Sequence, residues 1–260
     1  MSSLPVERHV AAPRDPWTIR SVPVRPTGAA PSSVVWINAD TGRRAPHAAA
    51  PWRARLGRQP IVTPDGRTIG YEFLYRAPSR RPVRVDRWTP ARQDGATEAV
   101  LDCVFGGSGV ASVAADHLAF VNVTRSYLVG ELPLPLDPAR LVLEIVESVP
   151  ADPAVLAGVR ALRARGYRIA IDDFVGLDDQ VALLPHADYV KLDIRDLTLQ
   201  GTALIKLAAR FGAVLVAERV EDLSTLKKCA AAGFTLFQGN VVQPTIVLER
   251  AAAVPSPRAG

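Results

Sequence analysis

Apolar residues recur along this chain in short runs with a period of two, and stretches of helical spacing separate these runs. A period of two is typical of β-strands, and a period near 3.6 is typical of amphipathic helices. The strand-like runs are residues 118–123, 141–146, 168–172, 189–192, 213–217 and 235–237. The helical stretches are residues 96–104, 153–165, 203–210 and 222–232. The pattern predicts strands and helices in alternation.

A hairpin precedes these units. Residues 59–63 and 68–75 have the pattern of two strands, and the turn between them contains Pro64 and Gly66. With the six later runs they make eight strands, and the later ones follow one another roughly every 20–27 residues. This spacing predicts an α/β fold, namely a (β/α)8 TIM-like barrel whose strands are parallel except for one antiparallel first strand.

Composition divides the chain into three segments. Residues 1–57 contain eight arginines, eight prolines and three acidic residues, which predicts a disordered N-terminal arm with one short strand near residues 33–37. Residues 58–250 are the predicted barrel domain, and residues 251–260 are a predicted frayed tail. Basic and acidic residues balance outside the arm, so we do not expect a nucleic-acid polymer as a partner. We interpret the arm as a solvated extension, with a tether to an acidic partner or a membrane surface as the alternative.

The same composition bears on the compartment. No apolar run reaches the ~18–20 residues that a membrane span needs, and prolines and arginines interrupt the region where a signal peptide would be apolar. The two cysteines, Cys103 and Cys229, do not suggest a disulfide scaffold. We therefore expect a cytoplasmic protein without a membrane span.

Polar side chains stand at or near the C-terminal ends of seven successive strands, where barrels build their active sites. They are Glu72, Asn122, Glu144, Asp172 with Asp173, Lys191, Glu218 and Gln238. Burying several carboxylates together is costly unless cations neutralise them. Oxygen ligands without His or Cys select a hard ion such as Mg²⁺ or Mn²⁺. The adjacent pair Asp172-Asp173 suits two metal ions, because one carboxylate can bridge both while its neighbour reaches the second.

Seven short motifs in this order resemble those of the EAL domain family. They are Glu72-Phe73-Leu74-Tyr75-Arg76, Phe120-Val121-Asn122, Glu144-Ile145-Val146-Glu147, Asp172-Asp173-Phe174, Lys191-Leu192-Asp193, Glu218-Arg219-Val220-Glu221 and Gln238-Gly239. The resemblance extends from about Arg58 to Val247, and the chain is most similar to EAL domains that precede an HDOD domain. It implies a barrel phosphodiesterase of bacterial signalling that hydrolyses cyclic di-GMP to the linear dinucleotide.

The resemblance also implies a metal-ion ligand set. The residues that would hold the first ion are Glu72, Asn122, Glu144 and Asp172. Those that would hold the second ion are Asp172, Asp173 and Glu218. Mg²⁺ or Mn²⁺ would be the cofactor at this two-metal site.

Further roles follow from the same resemblance. The catalytic set would be Lys191, Glu218 and Gln238, with Lys191 contacting the attacking water and the phosphate. The substrate-binding residues would be Gln59, Arg76, Asp193 and Gln238. Glu147 would anchor the loop that follows Asp172-Asp173-Phe174. That loop couples to a dimer interface in the family, so a homodimer is implied.

The chain departs from the family at three places. Val175-Gly176-Leu177 stands where the family has Gly-Thr-Gly, Phe73 replaces the alanine of Glu-Ala-Leu, and Asn240 follows Gln238-Gly239 in place of an aromatic residue. No implied ligand is lost, but the loop is altered, so two classes of function remain. One is an active phosphodiesterase, and the other is a cyclic di-GMP receptor or protein-interaction module with little hydrolysis. An unrelated enolase-type barrel enzyme is a third alternative, but it explains neither Arg76 nor the Gln238 motif.

Overall fold

The computed structural model describes residues 36–37, 55–77, 84–107 and 109–249, with the backbone alone at 36–37, 198–200 and 249. The predicted arm, apart from residues 36–37 and 55–57, and the predicted tail lie outside the described residues. In chain order the strands are β1 (Trp36–Ile37), β2 (Arg55–Val62), β3 (Thr68–Arg76), β4 (Leu118–Val123), β5 (Leu134–Pro135), β6 (Leu141–Ile145), β7 (Arg168–Ile171), β8 (Tyr189–Asp193), β9 (Val214–Glu218), β10 (Leu236–Phe237) and β11 (Ile246–Glu249).

The helices lie between these strands. They are α1 (Pro90–Phe105), α2 (Ala111–Ala114), α3 (Arg125–Leu128), α4 (Pro153–Ala164), α5 (Asp178–Leu183), α6 (Ile194–Ala208) and α7 (Leu223–Ala231). Short 3₁₀ turns cover Val85–Arg87, Leu184–His186 and Ala209–Phe211. No helix in the described part of the chain is both long and apolar enough to cross a membrane.

Eight strands close into a barrel. Strands β3, β4, β6, β7, β8, β9 and β10 are parallel to their neighbours in that order. Strand β2 is antiparallel to β3 and closes the barrel by pairing with β10, where Val62 lies opposite Phe237. The predicted (β/α)8 TIM-like barrel with one antiparallel first strand is confirmed.

The hairpin that starts the barrel is longer than its sequence pattern indicates. Strand β2 begins at Arg55, inside the range assigned to the arm, and pairs with β3 up to Arg76. A further strand, β11, pairs antiparallel with the first half of β2, from Arg55 to Arg58. No strand was predicted at β11, because its alternation is short and a proline precedes it closely in the sequence.

The helices follow the predicted pattern with different ends. Helix α4 matches its prediction to within one residue, and the Asp152 carboxylate caps it by accepting from the Ala154 and Val155 amides. Helix α1 begins six residues earlier than predicted, at Pro90, because a proline is well tolerated in the first turn. Helix α6 begins at Ile194 and is interrupted at Gly201, so the pattern revealed only its second half.

Side chains that point into the barrel form two layers. The apolar layer consists of Ile61, Phe120, Val142, Ala170, Val216 and Leu236. Two residues further along most of these strands the side chain on the same face is polar, as in Phe120 and Asn122, Val142 and Glu144, Ala170 and Asp172, Val216 and Glu218, and Leu236 and Gln238. The C-terminal end of the barrel is therefore lined by polar groups above an apolar floor.

A larger apolar core lies between the barrel and the helices. Phe73, which replaces an alanine of the family motif, belongs to this core and is 1% exposed. The larger side chain thus packs outside the barrel and leaves the polar layer unobstructed.

Candidate functional site

The polar layer is organised around Lys191 of β8. Its Nζ lies 2.9 Å from Glu144 Oε1, 2.9 Å from Asp172 Oδ1, 2.9 Å from Glu218 Oε1 and 3.5 Å from Glu72 Oε2. These four residues, here called the carboxylate cluster, come from four different strands or strand ends. The lysine side chain is 1% exposed, so the ion pairs form away from solvent. The structure brings together five of the predicted site residues at one point.

Burial and mutual repulsion determine how the cluster is protonated. Burial raises the pKa of Glu144 well above its usual range, although the Lys191 ammonium opposes this shift. Burial likewise raises the pKa of Glu218 to about 8, again against the effect of Lys191. Burial lowers the pKa of Lys191, but the surrounding carboxylates outweigh it and the net pKa lies well above its usual value. The cluster thus holds a cationic lysine, and the raised pKa values of its carboxyl groups mean that further positive charge, such as a proton, is favoured there.

Several oxygens of this layer suit a hard cation. Asn122 Oδ1, Gln238 Oε1 and Glu144 Oε2 are buried without a hydrogen-bond partner in the described part of the chain, whereas Glu144 Oε1 lies 2.9 Å from Lys191 Nζ. Buried oxygens without donors are costly, and a divalent ion would satisfy them. Within the described ranges no three acidic, His or Cys side chains surround an open point, since Lys191 Nζ is where the carboxylates converge. A metal ion could therefore bind at this point only if the Lys191 ammonium group moved away from it.

Asp173 lies beside the cluster on the 172–177 loop. Its backbone is left-handed, with φ 41°, which is uncommon for a residue with a side chain. Burial, followed by repulsion from Asp172, raises the pKa of Asp173 to about 6. The residue faces a pocket of about 380 Å³ that is lined by Glu147, Asp173, Val175, Leu177, Asp193, Arg195, Asp196 and Arg219.

Two glutamines extend the polar layer to the hairpin. Gln238, 3% exposed, donates from Nε2 to Glu72 Oε2 and to Gln59 Oε1, the latter at 3.1 Å. Gln59 in turn donates to the Gln243 carbonyl at 3.2 Å. These bonds place both predicted glutamines next to a carboxylate of the cluster.

The predicted substrate-binding charges lie further out. Arg76, at the end of β3, is half-buried against Gly57 and donates to the Tyr75 carbonyl at 3.0 Å. Burial lowers the pKa of its guanidinium, and Glu72 opposes that shift. The Arg76 guanidinium is therefore partly desolvated at the mouth of the barrel.

Asp193 already has protein partners. Burial raises its pKa, but hydrogen bonds from the Arg195 side chain and backbone outweigh burial, with Arg219 2.8 Å away, and the net pKa lies below the usual value. The carboxylate also caps helix α6 by accepting from the Arg195 amide. Neither arginine was singled out from the sequence, and only their position at the ends of neighbouring strands would have suggested them.

The 172–177 loop has a side-chain partner that the resemblance does not imply. Glu147 is exposed and lines the pocket, and in the described part of the chain no hydrogen bond joins it to this loop. The side chain that bonds the loop is Gln180 of α5, which is 3% exposed. Sequence reasoning did not select Gln180, although a Gln in the first turn of a helix is part of a recognised capping signal.

Comparison with known proteins agrees with this fold. The family model described as "EAL domain" matches residues 55–245. "Cyclic di-GMP phosphodiesterase CdgJ" of Vibrio cholerae is 30% identical over 214 residues, or 80% of this chain and 48% of that protein. "Uncharacterized protein YuxH" of Bacillus subtilis is 30% identical over 193 residues, or 72% of this chain and 46% of that protein. The chain thus spans about half the length of these curated relatives.

Solved structures share the architecture. A Klebsiella pneumoniae BlrP1 complex with manganese and cyclic di-GMP aligns at a TM-score of 0.58 with 24% identity, over 79% of this chain and 62% of that one. A "PaMucR Phosphodiesterase, c-di-GMP complex" aligns at 0.57 with 22% identity, over 75% and 92%. With the family match covering most of the described residues, the chain belongs to the EAL domain family.

Proposed function

We propose that this chain is a metal-dependent phosphodiesterase that hydrolyses cyclic di-GMP to the linear dinucleotide. The observation that carries the proposal is the convergence of the carboxylate cluster on Lys191 at the C-terminal end of an EAL-family barrel. The name of the Vibrio cholerae relative and the ligands of the BlrP1 complex support the same substrate class.

The proposed metal ligands are the oxygen-bearing residues of the polar layer. They are Glu72, Asn122, Glu144, Asp172, Asp173 and Glu218. Oxygen ligands of this kind favour Mg²⁺ or Mn²⁺. Divalent ions at such a site lower the pKa of water and stabilise the charge that develops on phosphate. The buried acceptors Asn122 Oδ1 and Glu144 Oε2 support this assignment, since no donor among the described residues bonds to them.

The other side chains bind and orient the substrate in this proposal. Lys191 and Arg76 are the cations that face the phosphate, and Lys191 stabilises the extra negative charge of the transition state. Gln238, held by Gln59 and Glu72, orients the attacking water. Asp193 acts through Arg195 and Arg219 at the edge of the pocket and does not need to touch the substrate itself.

A receptor that binds cyclic di-GMP without hydrolysis is the second candidate. The observation that favours it is the 172–177 loop, where Val175 and Leu177 replace two glycines of the family pattern and Leu177 is 54% exposed. A changed loop can hold Asp173 in a geometry that permits binding without turnover.

One experiment separates the two candidates. Purified protein is incubated with cyclic di-GMP and Mn²⁺ or Mg²⁺, with and without EDTA, while linear product is followed and binding is measured by calorimetry. Linear product that depends on the metal ion supports the phosphodiesterase. Binding without product supports the receptor, and the absence of both overturns the proposal.

Two matched variants test whether hydrolysis depends on the carboxylate cluster. Glu144→Gln removes a fully buried carboxylate of the cluster and should abolish product formation, whereas Glu131→Gln changes an exposed carboxylate and should leave it unchanged. If Glu144→Gln hydrolyses cyclic di-GMP at the parent rate, the cluster is not the reaction centre.

A further inference from the structure

The Gln180 side chain lies beneath the 172–177 loop. It is polar and 3% exposed, yet it is not part of the carboxylate cluster. Its single amide group contacts five backbone groups of the loop, two carbonyls and three amides. Buried polar side chains are normally hydrogen-bonded, but five partners from one short segment indicate that Gln180 determines the shape of that segment.

The oxygen of this amide accepts hydrogen bonds from the second half of the loop. Oε1 accepts from the amides of Val175 at 2.9 Å, Gly176 at 3.1 Å and Leu177 at 3.3 Å. These three N–H groups point to one acceptor, so the backbone must curl around it. Gly176 makes this turn with φ 82°, a conformation that a side chain rarely adopts.

The nitrogen of the amide restrains the first half, where the functional carboxylates are. Nε2 donates to the Asp173 carbonyl at 3.0 Å and to the Asp172 carbonyl at 3.4 Å. Asp173 is in the left-handed region, and Asp172 Oδ1 is 2.9 Å from Lys191 Nζ. A donor on both carbonyls opposes relaxation of the strained Asp173 backbone, which would turn its carboxylate away from the cluster.

We propose that Gln180 is the positioning residue that sets the geometry of Asp172 and Asp173, in place of the anchor that Glu147 would provide. The claim rests on the proposed function, because it assigns these two carboxylates to the reaction centre. A simple helix cap explains less. Only the bond from the Leu177 amide belongs to a capping box, and the leucine side chain cannot supply the reciprocal half.

Two substitutions separate the halves of the amide. Gln180→Glu keeps an acceptor for the three amides but replaces the donor by an oxygen that faces two carbonyls. In Gln180→Leu the new side chain has a similar size but has neither the acceptor nor the donor. The matched control is Asp179→Ala, one residue earlier on α5, which removes a single hydrogen bond from the Ala151 amide at 2.9 Å and leaves the loop contacts intact.

Three readouts are taken on each variant: the rate of cyclic di-GMP hydrolysis, the calorimetric affinity for Mn²⁺ alone, and hydrogen exchange of the amides at 175–177. We expect Gln180→Leu to expose all three amides and Gln180→Glu to keep them protected. Both should lower kcat or Mn²⁺ affinity by ~10–100-fold, the usual effect of losing a partner that orients a ligand. KM should change little, because Gln180 is 3% exposed and is not among the residues that line the pocket beside Asp173.

The possible outcomes test the positioning role of Gln180 separately from the proposed phosphodiesterase function. Retention of parent kcat and Mn²⁺ affinity in Gln180→Glu, with the control also unchanged, overturns the positioning role. If Gln180→Leu does not fold, the Gln180→Glu variant alone gives the answer. A parent that binds Mn²⁺ but does not hydrolyse still tests the claim through the metal affinity. A parent that binds neither metal nor cyclic di-GMP overturns the proposed function and the positioning role with it.

Discussion

At the scale of single residues, the central feature is the imbalance of charge around Lys191. One ammonium faces four carboxylates, and burial of each charge is expensive without compensation. The raised pKa values of Glu144 and Glu218 show how the protein meets this cost, because protons neutralise part of the cluster. A divalent ion would replace those protons, and Lys191 competes with it for the same oxygens.

We expect Lys191→Met to change stability and catalysis in different ways. Without metal, the loss of the Lys191 ammonium at the centre of the cluster should destabilise the fold by about 3–5 kcal/mol, the usual cost of breaking a buried ion pair. Mn²⁺ should raise the melting temperature of Lys191→Met more than that of the parent, because the lysine no longer competes with the ion for the carboxylates. Melting temperatures in EDTA and in Mn²⁺ measure this difference.

The rate of hydrolysis by the same variant should fall ~10²–10³-fold even when metal restores its stability, because the Lys191 charge that stabilises the transition state is missing. The control is Lys206→Met on α6, where the lysine is exposed. Equal melting curves for Lys191→Met and the parent in EDTA would show that the lysine does not hold the cluster together.

A second residue-scale prediction concerns Glu72. In Glu72→Gln the new amide can still accept from Gln238 Nε2, so the fold should be preserved. The lost charge should weaken Mn²⁺ binding, and excess Mn²⁺ should restore part of the hydrolysis. Calorimetry and product formation over a range of Mn²⁺ concentrations measure both effects. Hydrolysis that is lost without any change in Mn²⁺ affinity would assign Glu72 to the substrate.

At the scale of elements, the turn after β10 controls the position of Gln238. Gly239, with φ 150°, lies so close to another segment that a Cβ atom there would be 2.2 Å from the Val220 oxygen and 2.3 Å from its nitrogen. Both contacts are with backbone, so no side-chain rotation can relieve them. The glycine lets the two chain segments pair through the Val220 amide, which donates to the Gln238 carbonyl at 3.1 Å.

Gly239→Ala should therefore displace this turn and Gln238 with it. We expect a loss of about 1–3 kcal/mol in the free energy of unfolding, together with a reduced rate of hydrolysis. Gly212→Ala is the control, since Gly212 also has a positive φ of 82° but has nothing within 4 Å of an added Cβ. Chemical denaturation of both variants isolates the effect of the contact. Similar losses would mean that backbone strain alone accounts for the change.

At the scale of the whole molecule, the barrel encloses acidic groups whose protonation is linked to folding. The pKa of Asp173 is raised to about 6 and that of Glu218 to about 8, both above the values of an unfolded chain. Between the unfolded pKa values of 3.8 for Asp and 4.5 for Glu and these raised values, the native state binds more protons than the unfolded state. Stability therefore falls as pH rises through this window.

We expect the metal-free protein to lose stability steadily from about pH 5 to pH 8 as these groups ionise. Mn²⁺ should flatten this dependence, because the ion stabilises the ionised carboxylates and displaces their protons. Denaturation across this pH range in EDTA and in Mn²⁺ tests the sign. Glu218→Gln should reduce the slope above pH 6, and an unchanged slope in this variant would assign the effect to other groups.

The sequence alone determined the barrel and the composition of its polar layer. Strands of period two, separated by helices, place a polar residue two positions after an apolar one on the same inward face, as with Phe120 and Asn122. Parallel strands then align these positions at one end of the barrel. Residues such as Glu144 and Glu218 could be predicted to meet because this argument needs only local periodicity and the closure of the sheet.

Tertiary structure decided which of these groups touch and what holds them. That Gln180 bonds the 172–177 loop depends on the backbone conformation of a segment only a few residues away. That Lys191 lies at the centre of the carboxylates and that Asp193 pairs with Arg219 depend on side chains brought together from different strands or strand ends. Strand β11 likewise pairs with β2, which is remote from it in the sequence. Such contacts depend on the distances between segments remote in sequence and on burial, and neither is encoded in the periodicity of any one segment.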